Sequence, residues 1–198
     1  MSSALSEQIA ATAARLVVEE GLDYGPAKRR AAQVLGVNAR AAALPDNHQI
    51  EDEVRDYLAL FCADTQPAEL AALRAVALAW MQRLAAFRPH LSGAVWRGTA
   101  TRLNNVHLQL YCDDSKQADL GLIDLGVDYD VGSALGPRGE TIDVLSVASH
   151  SAALGEHVTV HLTVLDHDDL RGALKPDLKG RTQRGDLAAL RRLMDPAP

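Results

Sequence analysis

The chain has little of what makes several function classes easy to recognise. It holds two cysteines, Cys62 and Cys112, far apart in 198 residues. Such a pair is neither a disulfide framework nor a zinc motif, and reads as two buried free thiols in a reducing compartment. Aromatic residues make up only 4% of the chain, so the core must rest on Leu, Val, Ile and Ala. Basic excess is missing too. The formal net charge of −6 argues against a broad sequence-independent nucleic-acid surface, although a local basic patch remains compatible with it. No stretch approaches the roughly 18 apolar residues of a membrane span. The N-terminus shows no basic segment followed by an apolar run, so no signal peptide is expected. These absences predict a cytoplasmic protein with neither a membrane partner nor a strong nucleic-acid signature.

What is present is ordinary globular material. Hydrophobic residues make up 47% and charged residues 23%, enough to build a core. Two periodicities divide the chain. Up to about residue 88 the apolar positions recur at helical spacing. Ile9, Ala13, Leu16 and Val17 form one such stripe, ended by Gly21. Gly25-Pro26 opens a second helix, with Gly36 after it. Asp46 with Gln49 has the spacing of a capping box, starting a helix through Val54, Leu58 and Phe61. Pro67 starts a long helix that Arg88-Pro89 closes.

From residue 89 the period becomes two. His90 to Trp96 reads as a strand with a Gly interruption, and Val106, Leu108, Leu110 and Cys112 alternate with polar neighbours. Asp114 or Ser115 caps a helix through Ala118, Leu122 and Leu125. Val127 to Val131 is a short strand, Gly132 to Gly139 a hairpin loop, and Thr141 to Ala148 another strand. Val158, Val160, Leu162 and Val164 mark a further strand, and Asp186 to Met194 a capped amphipathic helix. No internal repeat or low-complexity linker stands out. The expected fold is α+β: a helical region over 1–88, then a domain over 89–198 built on a mixed, mostly antiparallel sheet with flanking helices.

Most chemically suggestive groups have plain readings. Asp113 and Asp114 suit a helix cap. Asp128 and Asp130 suit a solvated strand end, and Asp166, Asp168 and Asp169 a loop and helix start. Lys28-Arg29-Arg30, near Glu19 and Glu20, reads as a solvated charged face. Arg171, Lys175, Lys179, Arg181 and Arg184 make the C-terminal region basic and could border a cleft. His107, His157 and His161 could hold zinc if their strands are adjacent, though hydrogen-bonded or solvated histidines are the commoner outcome. Ser149 and Ser151 beside His150 lack a nucleophile-elbow pattern, and the Gly132 to Gly139 loop lacks the Gly-Lys-Ser/Thr ending of a phosphate loop.

One constellation goes further. Gly98-Thr99 precedes the alternating strand Asn105-Val106-His107-Leu108-Gln109, and a helix and antiparallel strands follow, ending in Val158-Thr159-Val160-His161-Leu162. Over residues 88 to 175 this order resembles the polymerase-beta-like nucleotidyltransferases, and the whole chain looks similar to small bacterial nucleotidyltransferase-like proteins. The resemblance implies that Gly98 and Thr99 hold a nucleotide triphosphate. It also implies that magnesium is held by two carboxylates at the places of His107 and Gln109, and by a third on the strand of Thr159 and His161. Here none of those four is acidic. Magnesium prefers carboxylates, water and phosphate oxygens, whereas imidazole suits softer metals. The resemblance therefore implies a degenerate member that binds a nucleotide or a protein partner without magnesium-dependent catalysis. No metal site is assigned, and no cofactor is expected. The ligand-contacting set would be Gly98, Thr99, Asn105, His107, Gln109 and His161. Two alternatives are an active nucleotidyltransferase with atypical ligands, which would need magnesium, and a non-enzymatic interaction module served by the helical region.

Overall fold

The computed structural model describes residues 2–38, 44–171, 174–176 and 180–195. Two compact units divide the chain: residues 1–68 with 99–104, and residues 69–98 with 105–198.

The first unit holds α1 (Ser2–Glu20), α2 (Tyr24–Val34) and α3 (Asn47–Phe61). Its core is the stripe that the helical spacing predicts. Ile9, Ala13, Leu16 and Val17 of α1 pack with Ala27 and Ala31 of α2 and Ile50, Val54 and Leu58 of α3. The expected capping box starts α3. Asp46 Oδ1 accepts from the Gln49 backbone N–H at 2.8 Å, and Gln49 Oε1 accepts from the Asp46 N–H at 2.9 Å. The hydrogen bond from the Gln49 backbone holds the Asp46 carboxyl below its ordinary pKa. A depressed folded-state pKa means that this contribution is complete at neutral pH and lost as pH falls through the folded-state value.

The second unit is a six-stranded sheet with helices. Most of α4 (Gln66–Arg83) belongs to it and buries Leu73, Val76, Ala77, Trp80 and Met81. Then come β1 (His90–Ser92), α5 (Gly93–Arg97), β2 (Val106–Cys112), α6 (Lys116–Asp124), β3 (Asp130–Leu135), β4 (Thr141–Ser151), β5 (Glu156–Asp166), β6 (Arg184–Gly185) and α7 (Leu187–Met194). The strand order is β3-β4-β5-β2-β1-β6. Only β2 with β5 pairs in parallel; the other pairs are antiparallel. The structure is thus α+β with a mixed sheet in which β1, β2 and β5 are neighbours, β2 between the other two.

The long helix stops at Arg83 rather than at Arg88, and two further expected elements differ. The run from His90 to Trp96 is not one strand. Gly93, at φ +73°, turns the chain out of the sheet after Ser92, and residues 93–97 wind into α5 around the buried Val95. Val and Trp favour strands as residues, but the left-handed glycine overrides that preference. Likewise β3 runs through Leu135, into the stretch that reads as a loop, and the hairpin turn is confined to Gly136 through Glu140. β3 is an edge strand with every residue exposed, so no buried face marks it in the sequence.

Alternation puts one row of apolar side chains across the middle of the sheet. Leu91, Leu108, Leu162 and Leu145 are mutual partners across β1, β2, β5 and β4, each at most 1% exposed. Leu108→Ala is expected to cost about 2–5 kcal/mol in chemical denaturation, because it opens a cavity under a central strand. Val131→Ala, at an edge position 67% exposed, should change stability by no more than about 0.5 kcal/mol. Equal losses would contradict this assignment of faces.

Candidate ligand site on the polar face of the sheet

The same pairing that stacks leucines on one face lines up polar residues on the other. Arg184, Ser92, His107, His161, Ser146 and Asp130 are successive partners across all six strands, from β6 to β3. The adjacent row carries His90, Gln109 and Thr163. Three of the sequence-predicted residues, His107, Gln109 and His161, therefore share one face, and Asn105 joins them just before β2.

At the centre are the two imidazoles. The segments Val106-His107-Leu108-Gln109-Leu110 and Val160-His161-Leu162-Thr163-Val164 are near-copies that pair in register on neighbouring parallel strands. That stacks the rings of His107 and His161 with centroids 5.0 Å apart and planes at 31°. Aligning the two pentapeptides was the available signal for this pairing; a scan for longer repeats passes over it. His161 is held at both nitrogens. Ser146 Oγ lies 2.8 Å from Nδ1, and the Asn105 amide nitrogen lies 3.1 Å from Nε2. With the amide so oriented, Asn105 donates to Nε2, and Nδ1–H donates to Ser146. That is a neutral imidazole in one tautomer. Ser146 went unnoticed in the sequence because a lone Ser in an alternating strand carries no signal. Gly93 lies against His107: a Cβ added there would come 3.5 Å from His107 Cδ2. The ring thus packs close to a backbone that carries no side chain.

The same face carries a fixed cation. Arg184 Nη1 donates to Gln109 Oε1 at 2.7 Å and to the Tyr111 hydroxyl at 3.1 Å, and that hydroxyl donates to Gln109 Oε1 at 3.1 Å. Tyr111 is 1% exposed, and the His90 ring meets it edge-on at 5.2 Å. Arg184 Nε is buried with no hydrogen-bond partner among the described residues. β6 is placed by Trp96, whose indole N–H donates to the Thr182 carbonyl at 2.8 Å. Gly185 lets that indole approach, since a Cβ there would fall 2.0 Å from Trp96 Cη2.

The remaining predicted residues lie elsewhere. Gly98 is the left-handed residue closing α5, at φ +81°, with Arg74 and Leu70 of α4 nearest to the place of a Cβ. Thr99 belongs to the other unit, where it is buried and its hydroxyl finds no partner among the described residues. The strand-to-helix turn that leads towards β2 is Ser92–Gly93. The three histidines weighed for zinc do not converge: His157 pairs with His150 at 5.3 Å, and lies about 13 Å along β5 from His161 at the usual rise. Among the described residues no group of three or more His, Cys, Asp or Glu could hold a metal ion. Of the plain readings, Asp114 Oδ1 accepts from the Lys116 N–H at the start of α6, and Asp166 Oδ1 from the Asp168 N–H. Arg30 pairs with Glu20 and Arg138 with Asp169. Lys179 lies outside the described residues. Burial, followed by the Asp113 charge, pushes the Cys112 thiol pKa up. Neither cysteine takes part in this face.

A magnesium ion does not fit this donor set. The Gln109 oxygen already accepts from a guanidinium and a hydroxyl, and a divalent cation beside it would meet the Arg184 charge. No protein-family model matches the chain, and no curated protein matches its sequence.

The geometry makes Gln109 a support for Arg184 and Tyr111 rather than a solvated side chain. Gln109→Ala should therefore destabilise by about 1–3 kcal/mol, the usual cost of stranding buried polar partners, whereas Gln109→Glu should retain most of the stability. Gly185→Ala should cost about 1–3 kcal/mol through overpacking against Trp96, with a change in the near-ultraviolet circular dichroism. A Gly185→Ala protein with wild-type stability and spectrum would contradict the Trp96 contact.

Proposed function

We propose that the chain is a degenerate relative of the polymerase-beta-like nucleotidyltransferases, and that the polar face around His107, His161 and Arg184 binds an anionic nucleotide-class ligand without magnesium-dependent transfer. The observation that carries this reading is the Arg184 guanidinium, fixed by two neutral partners on the face of the paired imidazoles. A cation whose partners carry no charge keeps its field for a phosphate, and a guanidinium matches phosphate geometry. Asn105, Ser146 and Thr163 supply hydrogen-bonding groups of the kind that a base or sugar uses. Where the resemblance expects metal-bearing carboxylates, this face offers a pair of histidines and a fixed positive charge. Two-metal chemistry depends on metal-borne stabilisation of developing charge. These side chains cannot assemble that, but they can recognise the anion.

The test is isothermal titration calorimetry of the full chain with AMP, ADP and ATP, each in EDTA and in magnesium. Binding should persist in EDTA. Arg184→Met should weaken it at least tenfold, consistent with the loss of a charge-assisted contact of about 1.5–3 kcal/mol. Binding that appears only with magnesium would overturn the reading, as would the absence of binding by all three nucleotides. Robust nucleotide transfer by the wild type, abolished by His107→Ala, would favour the active-enzyme alternative instead.

A further inference from the structure

A groove of about 900 Å³ lies in the sheet unit; of the residues on the polar face only His90 lines it, and neither imidazole of the pair nor Arg184 does. Its walls are aliphatic: Met81 from α4, Pro89, Leu170, Leu174, and Leu187 and Ala188 from α7. No Phe, Tyr or Trp is among its described lining residues, which offer no broad stacking platform for a base. Among the described residues, the cations Arg88, Lys175 and Arg191 edge it. None of the three forms an ion pair with a described residue. Among the described lining residues the one carboxylate, Asp186, accepts from the Ala189 N–H at 2.8 Å and caps α7. Arg88 is also the only non-glycine residue with positive φ among those described, at +48°. The buried His90 ring, also in the lining, holds that turn with Nδ1 2.8 Å from the Arg88 carbonyl. Non-glycine residues held in left-handed conformations cluster at ligand sites, because the surrounding structure has to hold them there.

We propose that this groove binds a free single-chain amphiphile with a carboxylate head, such as a medium-chain fatty acid. The aliphatic walls take the chain, and the cations at the edge take the head. The volume falls in the range of about 300–1,000 Å³ usual for small-molecule sites. Complementarity of charge selects an anion in a protein whose net charge is −6, and the shortage of aromatic surface selects a flexible chain over a planar ring. The proposal does not rest on the nucleotide reading.

The experiment is calorimetry of the full chain with decanoate, decanol and decyltrimethylammonium, each below its micellar concentration. Decanoate should bind at one site per chain, and the other two at least tenfold more weakly. The exposed double variant Lys175→Glu with Arg191→Glu should weaken decanoate at least tenfold while keeping the wild-type circular dichroism and melting temperature. Ala188→Trp, which fills the groove without touching a charge, should also abolish binding, and guards against a long-range effect of charge reversal. No decanoate binding, equal binding of decanol, or binding unchanged in both variants would overturn the assignment. Two other occupants have their own signatures, and either result would replace this proposal. A second copy of the chain would give concentration-dependent association, lost in Ala188→Trp, with no decanoate binding. A membrane surface would give co-sedimentation with phosphatidylglycerol vesicles but no binding of free decanoate.

Discussion

The parallel, in-register pairing of β2 with β5 is the constraint on which the sheet unit depends. A parallel pair cannot be closed by a tight turn and needs a long crossover. The chain between Cys112 and Glu156 provides it as α6, β3 and β4, and β4 then returns antiparallel along the other edge of β5. The register has two consequences at once. It sets Leu108 against Leu162 in the core and His107 against His161 on the opposite face. A slip of one residue in either strand would send its imidazole inward and its leucines outward. The hydrophobic effect that fixes the core therefore also fixes the histidine pair, and the ordering cost of the pair is met by folding itself.

A second chain of dependence holds the cation. Gly93 ends β1 by adopting a conformation that residues with side chains rarely take, and this frees residues 93–97 to form α5. α5 delivers Trp96, whose indole N–H fixes Thr182 and whose ring lies over Gly185. Those contacts set the two-residue strand β6, and β6 presents Arg184 to Gln109 and Tyr111. Each link is local, yet together they join a basic residue near the C-terminus to the polar face of a central strand.

How much of this was legible follows the range of the physics involved. The α1 stripe, the Asp46 cap, the alternation of β2 and β5 and the capped α7 all appear as sequence says they should, because each depends on neighbours within a few residues. The strand expected through Trp96 failed at one backbone dihedral, which residue identity suggests but does not fix. β3 was cut short because an edge strand with no buried face shows no alternation. The shared face of His107, Gln109 and His161 was readable from matched alternation. Arg184 was visible only as one of several basic residues near the C-terminus, because its selection depends on Trp96 and Tyr111, far away in the chain. His157 looked equivalent to His161 until the β4–β5 register gave it His150 as a partner.

Charge partnering separates the arginines that hold the fold from the one we read as recognising a ligand. Arg30 pairs with Glu20, Arg55 with Glu51 and Arg138 with Asp169. In each case a carboxylate offsets the charge, and in two of them that carboxylate, Glu51 or Asp169, is largely buried. Arg184 is fixed instead by a carboxamide and a phenol, which position it without neutralising it. An oriented but uncancelled cation is of little use to a core, where its desolvation is a cost. On a face lined by hydrogen-bonding side chains it is what an anion requires. In a chain of net charge −6, such a cation attracts only what reaches it closely, because the surrounding field repels extended polyanions at longer range. That combination favours a small, compact anion over a nucleic-acid strand, and it is why the proposed ligand is a mononucleotide rather than a polymer.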